Sequence, residues 1–370
     1  MTHDPPPIES PEGPRVTIGG RTVDWFRSSS YLGLQADPRV LRDAVEATER
    51  FGMKLRDRRA IGMHPVVAAW EEAGRAFFGA DEAVLLGSGY AGGLVMSAAL
   101  GDRFDVAFVD AEAHANIADG LRGCGRTIVP FAHRDADDLR RRLASDLPAG
   151  ARPLVVTDGV FPITGDPAPL PDYADVLASY PGATLLVDDA HGFGVMGARG
   201  RGTLEHFGLE GDGRMAYGTM SKAFGAAGGI VPCTEDVRAR IESRSAAFAG
   251  TTKPPPGVVA AGARALAIAR AEPERRARLR SLVARVRAGL AEMGIGTGDS
   301  SAPIVCIRAA DGFDAAGVAA RLLREDAIAV LHASSGYANV PAGGALVFTL
   351  SATHDDAQVE RLLDALRRAA

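Results

Sequence analysis

The sequence predicts an α/β protein with a large domain, built on a seven-stranded and mostly parallel sheet, and a small C-terminal α+β domain. Three observations support this fold class. Seven short apolar runs alternate with helix-length segments between residues 82 and 233, which is typical of parallel strands covered on both faces. A rigid Thr-Thr-Lys-Pro-Pro-Pro break at 251–256 then ends the alternation. A long Ala/Arg-rich helical stretch follows and leads into a different order of strands and helices.

Length and composition narrow the possible functions. A chain of 370 residues can form one large domain with a smaller companion, each with its own core. The charged fraction of 24% and the net charge of −5 are ordinary values, and there is no basic stripe, so a nucleic-acid partner is not expected. No apolar run approaches the roughly 20 residues that span a bilayer, so no membrane partner is expected either.

The cysteines indicate the compartment. Cys124, Cys233 and Cys306 are widely separated, with neither metal-ligand spacing nor the pattern of a disulfide framework. We interpret them as buried small hydrophobic residues in a reducing environment. The sequence therefore predicts a cytoplasmic protein without a metal site.

The first 40 residues are predicted to form a leader and an arm. Residues 1–14 are acidic and rich in proline, with no large apolar groups to pack, so we expect them to be flexible. Residues 16–26 (VTIGGRTVDWF) are predicted to form a short strand pair.

Two helices should follow the arm. Asp37-Pro38 opens an amphipathic helix with Val40, Leu41, Ala44 and Val45 on one face, and a second helix covers roughly 65–78. The basic segment between them, MKLRDRRAIGM, is either a solvated turn or an active-site loop.

The large, cofactor-binding domain is predicted at 41–250. In a parallel sheet, ligands gather at the loops beyond the carboxyl ends of the strands. The chemically distinctive residues fall in such loops: Asp110 and His114, Asp158, Asp188 and His191, and Lys222. The seven candidate strands are Ala83–Gly87, Asp105–Val109, Thr127–Phe131, Leu154–Thr157, Thr184–Val187, Met215–Thr219 and Gly229–Cys233.

Residues 251–370 are predicted to form a linker helix and the small C-terminal domain. The helical stretch runs to about Glu292 without an interrupting strand. Beyond it we expect strands near Pro303–Arg308, Ile328–Leu331 and Leu346–Ser351, and helices at 313–324 and 355–369.

Lys222 is the residue around which the candidate site is organised. It lies in YGTMSKAFGAAGG, after a strand and before small residues and glycines that let other groups approach closely. This setting suits a lysine that forms an imine in a pocket, as in pyridoxal phosphate (PLP) enzymes. The same setting is also typical of an ordinary loop lysine, so the assignment depends on partner residues elsewhere in the chain.

One candidate is present for each of the other groups that PLP chemistry needs. The glycine-rich turn from Gly87 to Gly93 leads into a helix and can direct backbone N–H groups at a phosphate, although such turns also occur without a ligand. Asp188 ends the apolar run TLLVD, where a carboxylate is costly unless it meets a cation such as a protonated pyridine nitrogen. His191 can reach the ring oxygen and His114 can stack on the ring, while a lone histidine is otherwise an ordinary hydrogen-bonding group.

With these residues assembled, the chain resembles the α-oxoamine synthase family of fold-type I PLP-dependent transferases. That family includes 8-amino-7-oxononanoate synthase, 2-amino-3-ketobutyrate CoA ligase, 5-aminolevulinate synthase and serine palmitoyltransferase. The resemblance extends from about residue 25 to the C-terminus. It is carried, in family order, by SYLGLQADPRV, GSGYAGG, DAEAHAN, TDGVFPITGDPAPLPDY, VDDAHGFGVMGARGRGT and YGTMSKAFGAAGG.

The resemblance implies a role for each site residue. Lys222 would hold the cofactor covalently, Asp188 would contact the pyridine nitrogen, His191 the ring oxygen O3′, and His114 would stack on the ring. Gly89, Tyr90 and Thr219 would lie at the phosphate. The family is homodimeric with active sites at the subunit interface, so Thr251 or Thr252 would reach the phosphate of the neighbouring subunit.

Four departures from the family pattern bear on the substrate. Pro162 replaces a serine that contacts the cofactor oxygen, Ser30 replaces an asparagine before YLGL, and Asn339 replaces a threonine. The arginine-bearing strand before the final histidine motif has no arginine between Ala342 and His354. A substrate carboxylate is therefore either bound elsewhere, with Arg56, Arg58, Arg59 and Arg308 as candidates, or the substrate is not a simple amino acid.

The resemblance implies a PLP-dependent acyltransferase that condenses an amino acid with an acyl thioester of coenzyme A or a carrier protein and then releases CO2. The departures favour specialised metabolism. One alternative keeps PLP and changes the reaction to aldol cleavage, decarboxylation or transamination of an unusual amine. Another alternative, from a different class, is a non-catalytic scaffold subunit, and the joint presence of Lys222, Asp188, His191 and His114 argues against it.

Overall fold

The computed structural model describes residues 6–55, 62–309, 314–334, 340–341 and 343–369. Its N-terminal arm forms the antiparallel pair β1 (Arg15–Ile18) and β2 (Arg21–Trp25). Two helices follow, α1 (Pro38–Phe51) and α2 (Pro65–Phe78). The Asp37 side chain accepts a hydrogen bond from the Arg39 N–H, which caps α1. Both helices begin at a proline, as predicted, because the first helical N–H has no partner to lose.

The large domain alternates strands and helices, as predicted. Within the described ranges its sheet has seven strands, in the order β3-β9-β8-β7-β6-β4-β5, and β9 is the antiparallel one. The predicted strands are confirmed to within one residue at either end. The elements are β3 (Glu82–Leu86), α3 (Ala91–Leu100), β4 (Val106–Asp110), α4 (Ala115–Arg122), β5 (Thr127–Phe131), α5 (Ala136–Asp146), β6 (Pro153–Asp158), α6 (Leu170–Leu177), β7 (Thr184–Asp188), α7 (Thr203–His206), β8 (Arg214–Thr219) and β9 (Gly229–Cys233).

The central strands place three carboxyl groups inside the protein. Every residue of β4, β6 and β7 is buried, because helices cover both faces of the sheet. Each of these strands ends in an aspartate: Asp110, Asp158 and Asp188. Burial of a carboxylate is costly without hydrogen-bond donors or a cation, so the carboxyl edge of the sheet must supply them.

The C-terminal part contains a helical connection and a second, smaller sheet. β13 lies between β10 and β12 in that sheet, whereas β11 pairs with β2 of the N-terminal arm. The elements are α8 (Glu235–Arg244), α9 (Ala246–Gly250), α10 (Pro256–Ala271), α11 (Pro273–Glu292), β10 (Ile304–Arg308), α12 (Ala315–Glu325), β11 (Ile328–Ala329), β12 (Leu331–Ala333), β13 (Ala345–Thr349) and α13 (Asp356–Ala369).

Three sequence-based expectations need correction here. The helical stretch after 256 is two helices, because Pro273 has no N–H to continue α10 and begins α11 instead. The single strand expected at 328–331 is split between two sheets. Cys306 is buried and burial raises the pKa of its thiol to about 11, but Cys124 and Cys233 are only half-buried.

The arm connects the two ends of the chain. The Thr349 N–H donates to the Phe26 carbonyl oxygen, and the Ala352 N–H donates to that of Tyr31. Residues around 26–31 are thereby held against the C-terminal domain near the cavity described below. The boundaries predicted at 40 and 250 stay predictions. No helix in the described ranges is long and apolar enough to cross a membrane.

Candidate active site

A cavity of about 290 Å³ lies at the carboxyl edge of the large sheet. Seven of the eight residues predicted for the site line it: Gly89, Tyr90, His114, Asp188, His191, Thr219 and Lys222. Asn116, Asp158 and Pro162 also line it. The eighth predicted residue, Thr251, does not line this cavity.

Lys222 lies in the loop after β8. The turn that holds it is closed by the Gly225 N–H, which donates to the Lys222 carbonyl oxygen at 3.0 Å, and Gly225 has a φ of 61° that favours glycine. Burial lowers the pKa of the Lys222 amine, while the nearby Asp188 acts in the opposite direction. Imine formation needs a neutral amine, so the lowered pKa suits this chemistry.

Asp188 ends β7, and its side chain is about 5% exposed. Its Oδ1 accepts from the Ala190 N–H at 3.1 Å, and its Oδ2 accepts from Asn116 Nδ2 at 2.8 Å. Both donors are neutral, and a hydrogen bond to Asp188 also contributes to the raised pKa of the Tyr217 hydroxyl. A buried carboxylate held in this way is well suited to a cationic ligand group such as a protonated pyridine nitrogen.

His114 is the residue that caps α4. Its backbone N–H donates to Asp158 Oδ2 at 2.8 Å, and its ring Nδ1 lies 3.0 Å from Asn116 Oδ1. The ring also meets that of Tyr90 edge-on, with 5.9 Å between centroids. The position of His114 at the cavity is thus fixed through both its backbone and its ring.

Asp158 lies directly beside Asp188, because the two residues are register partners on neighbouring parallel strands. Burial raises the pKa of the Asp158 carboxyl well above its ordinary value, and the negative charge of Asp188 raises it further. The protonated form of the Asp158 carboxyl is therefore favoured over its charged form.

His191 is positioned by the N-terminal arm. Tyr31, which is fully buried, has its hydroxyl 2.7 Å from His191 Nδ1. Burial lowers the pKa of His191 well below its ordinary value, and the nearby Lys222 lowers it further, so the imidazole is neutral. A neutral ring can form a hydrogen bond with a cofactor oxygen without adding a charge.

The predicted phosphate end of the cavity is tightly packed. A Cβ added at Gly89 would lie 2.6 Å from the Thr219 Cβ, so only glycine fits there. The Thr219 hydroxyl is bonded to Ser221 Oγ at 2.8 Å and to the Gly228 carbonyl oxygen at 3.1 Å. The Tyr90 hydroxyl donates to Asp119, so Tyr90 contributes its ring to the cavity wall.

Thr251 lies behind the glycine-rich turn. A Cβ added at Gly87 would lie 2.5 Å from Thr251 Cγ2, and the Thr251 side chain is exposed. This location is outside the chain's own cavity. The contact of Thr251 with a neighbouring subunit's phosphate stays a prediction.

Arg308, the one proposed arginine among the described residues, does not line the cavity. Arg308 is exposed and pairs with Asp166 at 2.9 Å, so its assignment as a carboxylate-binding candidate is wrong. Leu346, Val347 and Phe348 of β13 are all buried. No arginine among the described residues lines the cavity. The other candidates, Arg56, Arg58 and Arg59, lie outside the described residues, as does Asn339.

Sequence reasoning missed two polar residues. Tyr31 lies in one of the quoted motifs, but nothing in the motif indicates that its hydroxyl reaches His191. Asn116 ends the quoted motif DAEAHAN, two residues after His114 at the start of a helix, but nothing in the motif indicates that its amide reaches Asp188. Both residues act through partners that are distant in the sequence.

The chain matches known proteins over nearly its whole length. Residues 22–366 match the family model for class I and II aminotransferases. The chain is 38% identical over 364 residues to 8-amino-7-oxononanoate synthase of Thioalkalivibrio sulfidiphilus, which covers 98% of this chain and 92% of the relative. It is 40% identical over 362 residues to the enzyme of that name from Methylococcus capsulatus, with 97% and 92% covered.

Two serine palmitoyltransferase structures are similar in fold. One, from S. paucimobilis with PLP and myriocin bound, has a TM-score of 0.89 and 30% identity, and the match covers 98% of this chain and 92% of that one. The other, from Sphingomonas wittichii, has a TM-score of 0.88 and 32% identity, with 96% and 89% covered.

Proposed function

This chain belongs to the class I and II aminotransferase family and, within it, to the α-oxoamine synthases, and we propose that it condenses an amino acid with an acyl thioester. The cofactor is pyridoxal 5′-phosphate. The observation that carries the proposal is the meeting of Lys222, Asp188, His191 and His114 in one cavity. A non-catalytic scaffold would have no reason to keep a lysine of lowered pKa beside a buried carboxylate.

When bound, pyridoxal 5′-phosphate supplies a ring that withdraws electrons from the α-carbon of the amino acid. Asp188 is suited to hold a proton on the pyridine nitrogen, which maintains this withdrawal. The neutral His191 is suited to the ring oxygen, and its ring is held in place by Tyr31. His114, which lines the same cavity, is proposed to stack on the ring.

Lys222 Nζ removes the α-proton and later returns a proton to the product. The α-carbon attacks the thioester carbonyl, a C–C bond forms, the C–S bond breaks, and the thiol leaves. The carboxyl group of the resulting β-keto acid departs as CO2. A lysine amine of lowered pKa suits the first step, because it accepts a proton only when it is neutral.

We propose further that the protein is a homodimer with its active site at the interface. Leu41 and Val45 on α1 and Met53 after it expose between about half and two thirds of their surface. Such a group of exposed apolar side chains is typical of an interface. Size measurement by light scattering tests this, and a Val45→Asp variant that remained the same size as the parent would contradict it.

We also propose that the enzyme works in the cytoplasm. Its three cysteines carry free thiols, which is the usual state in a reducing compartment.

The activity is tested by incubating the purified protein with pairs of amino acids and acyl thioesters and analysing the products by mass spectrometry. The expected product contains the amino acid and the acyl group minus CO2, together with free thiol. An aldehyde, a simple amine or a keto acid without C–C bond formation would instead identify the aldol-cleavage, decarboxylation or transamination alternative.

A further inference from the structure

Asn116 has no role in the reaction described above, although only about 2% of its surface is exposed and it contacts two side chains that line the cavity and the buried Tyr217. Its Nδ2 donates to Asp188 Oδ2 at 2.8 Å and to the Tyr217 hydroxyl oxygen at 3.3 Å. Its Oδ1 lies 3.0 Å from His114 Nδ1. We propose that Asn116 is a positioning residue that fixes His114 as the tautomer with its proton on Nδ1, so that Nε2 is the basic nitrogen.

The orientation of the Asn116 amide is determined by Asp188. An ionised carboxylate has no hydrogen to donate, so the atom that faces it at 2.8 Å must be the donor Nδ2. The opposite orientation would place the amide oxygen against the carboxylate and would leave two acceptors in contact in a buried site. The carboxylate of Asp188 thereby selects one of the two amide orientations.

Tyr217 supports the same orientation. Burial raises the pKa of its phenol well above the ordinary value, and the nearby Asp188 raises it further. The hydroxyl therefore stays protonated, and its oxygen can accept the second Asn116 N–H at 3.3 Å. Both hydrogens of the amide then face acceptors.

The amide orientation decides where His114 carries its proton. Asn116 Oδ1 can only accept, so His114 Nδ1 at 3.0 Å must be the donor. A competing contact exists, because the Asn116 backbone N–H lies 3.3 Å from the same nitrogen and would favour a lone pair there. The side-chain contact is shorter, and an unprotonated Nδ1 would place two lone pairs against each other.

This assignment defines what His114 can do in the proposed reaction, on which the inference rests. A neutral His114 with its proton on Nδ1 accepts a proton at Nε2 and cannot donate one there. It can polarise a thioester carbonyl only after it has gained a second proton. Asn116 Oδ1 also suits this protonated form, because Nδ1 remains a donor in it.

The test is 15N NMR of the PLP-bound protein labelled at its histidines, with the His114 signals identified by their loss in a His114→Gln variant. We expect Nδ1 to show the shift of a protonated ring nitrogen and Nε2 that of an unprotonated one. In Asn116→Leu, which is similar in volume but has no amide, the backbone N–H is left to donate to Nδ1, so the proton should move to Nε2.

His133 serves as the internal control. Its Nδ1 lies 2.9 Å from Asp110 Oδ1 and it does not contact Asn116, so its signals should be the same in the variant and show that the fold is intact. A parent protein with the His114 proton on Nε2 would overturn the proposal, whether or not the variant folds. An unchanged tautomer in a folded Asn116→Leu protein would overturn it as well.

This outcome is separable from the proposed function. If the tautomer is as expected but no pair of amino acid and thioester gives a condensation product, the proposed reaction fails and the assignment of Asn116 stands.

Discussion

The most informative prediction concerns the carboxylate of the substrate. No arginine among the described residues lines the cavity, and Leu346, Val347 and Phe348 of β13 are buried apolar residues that do not line it either. We therefore predict that L-alanine binds no more tightly than L-alaninamide, which has the same shape and no negative charge. The amino acid substrate would then have to hold the carboxylate that it loses as CO2 by contacts other than an arginine among the described residues of this cavity.

The expected size of the effect follows from the burial of the site. A carboxylate held in a buried site without a cation or enough hydrogen-bond donors to pair with costs on the order of 3 kcal/mol. That free energy corresponds to a dissociation constant that is roughly 150-fold larger than it would be without the unpaired charge. A site with a bidentate arginine would show the opposite order, with the acid bound at least about 100-fold more tightly than the amide.

The assay is a titration of the PLP-bound protein with glycine, L-alanine, L-serine and their amides, followed by the absorption of the cofactor. Saturation with one of the acids below millimolar concentration, together with much weaker binding of its amide, would refute the reasoning. Arg58→Ala and Arg59→Ala variants would then show whether the segment at 53–63 supplies the cation. Arg308→Ala is the matched control, because Arg308 pairs with Asp166 and does not line the cavity.

Three further predictions concern the site and its surroundings. Borohydride reduction should fix the cofactor on Lys222 and Lys222→Ala should abolish turnover, whereas an adduct mapped to Lys253 would contradict the assignment. Asp188→Asn should still bind PLP but lose most activity, about 100-fold or more, because a neutral amide does not hold a proton on the pyridine nitrogen; unchanged turnover would show that the acid is another residue. Burial raises the pKa of Asp189 from 3.8 to about 7, so the folded protein keeps a proton that the unfolded chain releases, and the free energy of unfolding should fall as pH rises from about 4 to 7. The free energy of unfolding of Asp189→Asn should not fall in this range, and above pH 7 it should exceed that of the parent by up to about 4 kcal/mol. The amide oxygen of the variant can still accept from the Thr203 N–H. A difference in unfolding free energy between parent and variant that is the same at pH 5 and at pH 8 would contradict this prediction.

The replacement at Pro162 adds to the substrate question. Pro162 lines the cavity where the family pattern places a serine, so the chain offers no hydroxyl at that point. If His191 binds the ring oxygen of the cofactor, as we propose, it does so without a second hydroxyl at position 162, and Tyr31 holds its ring in place. We therefore expect the contact between Tyr31 of the arm and His191 to matter more for cofactor binding here than in the family pattern, which has a serine at this position.

The sequence by itself determined the large sheet and most of the site. Strands that are buried on both faces must be apolar along their whole length, so β4, β6 and β7 could be located to within one residue. The loops at their carboxyl ends meet at one edge of any parallel sheet. The grouping of His114, Asp158, Asp188 and Lys222 therefore followed from their positions in the sequence alone.

Only the tertiary structure decided which side chains contact each other within that group. Tyr31 and His191 are 160 residues apart, and Asn116 and Asp188 are 72 apart, so no local pattern links them. Arg308 could be assigned to the substrate on sequence grounds until its partner Asp166, 142 residues away, was placed beside it. Periodicity records only whether a side chain faces the core, whereas the direction of a hydrogen bond depends on elements that folding brings together.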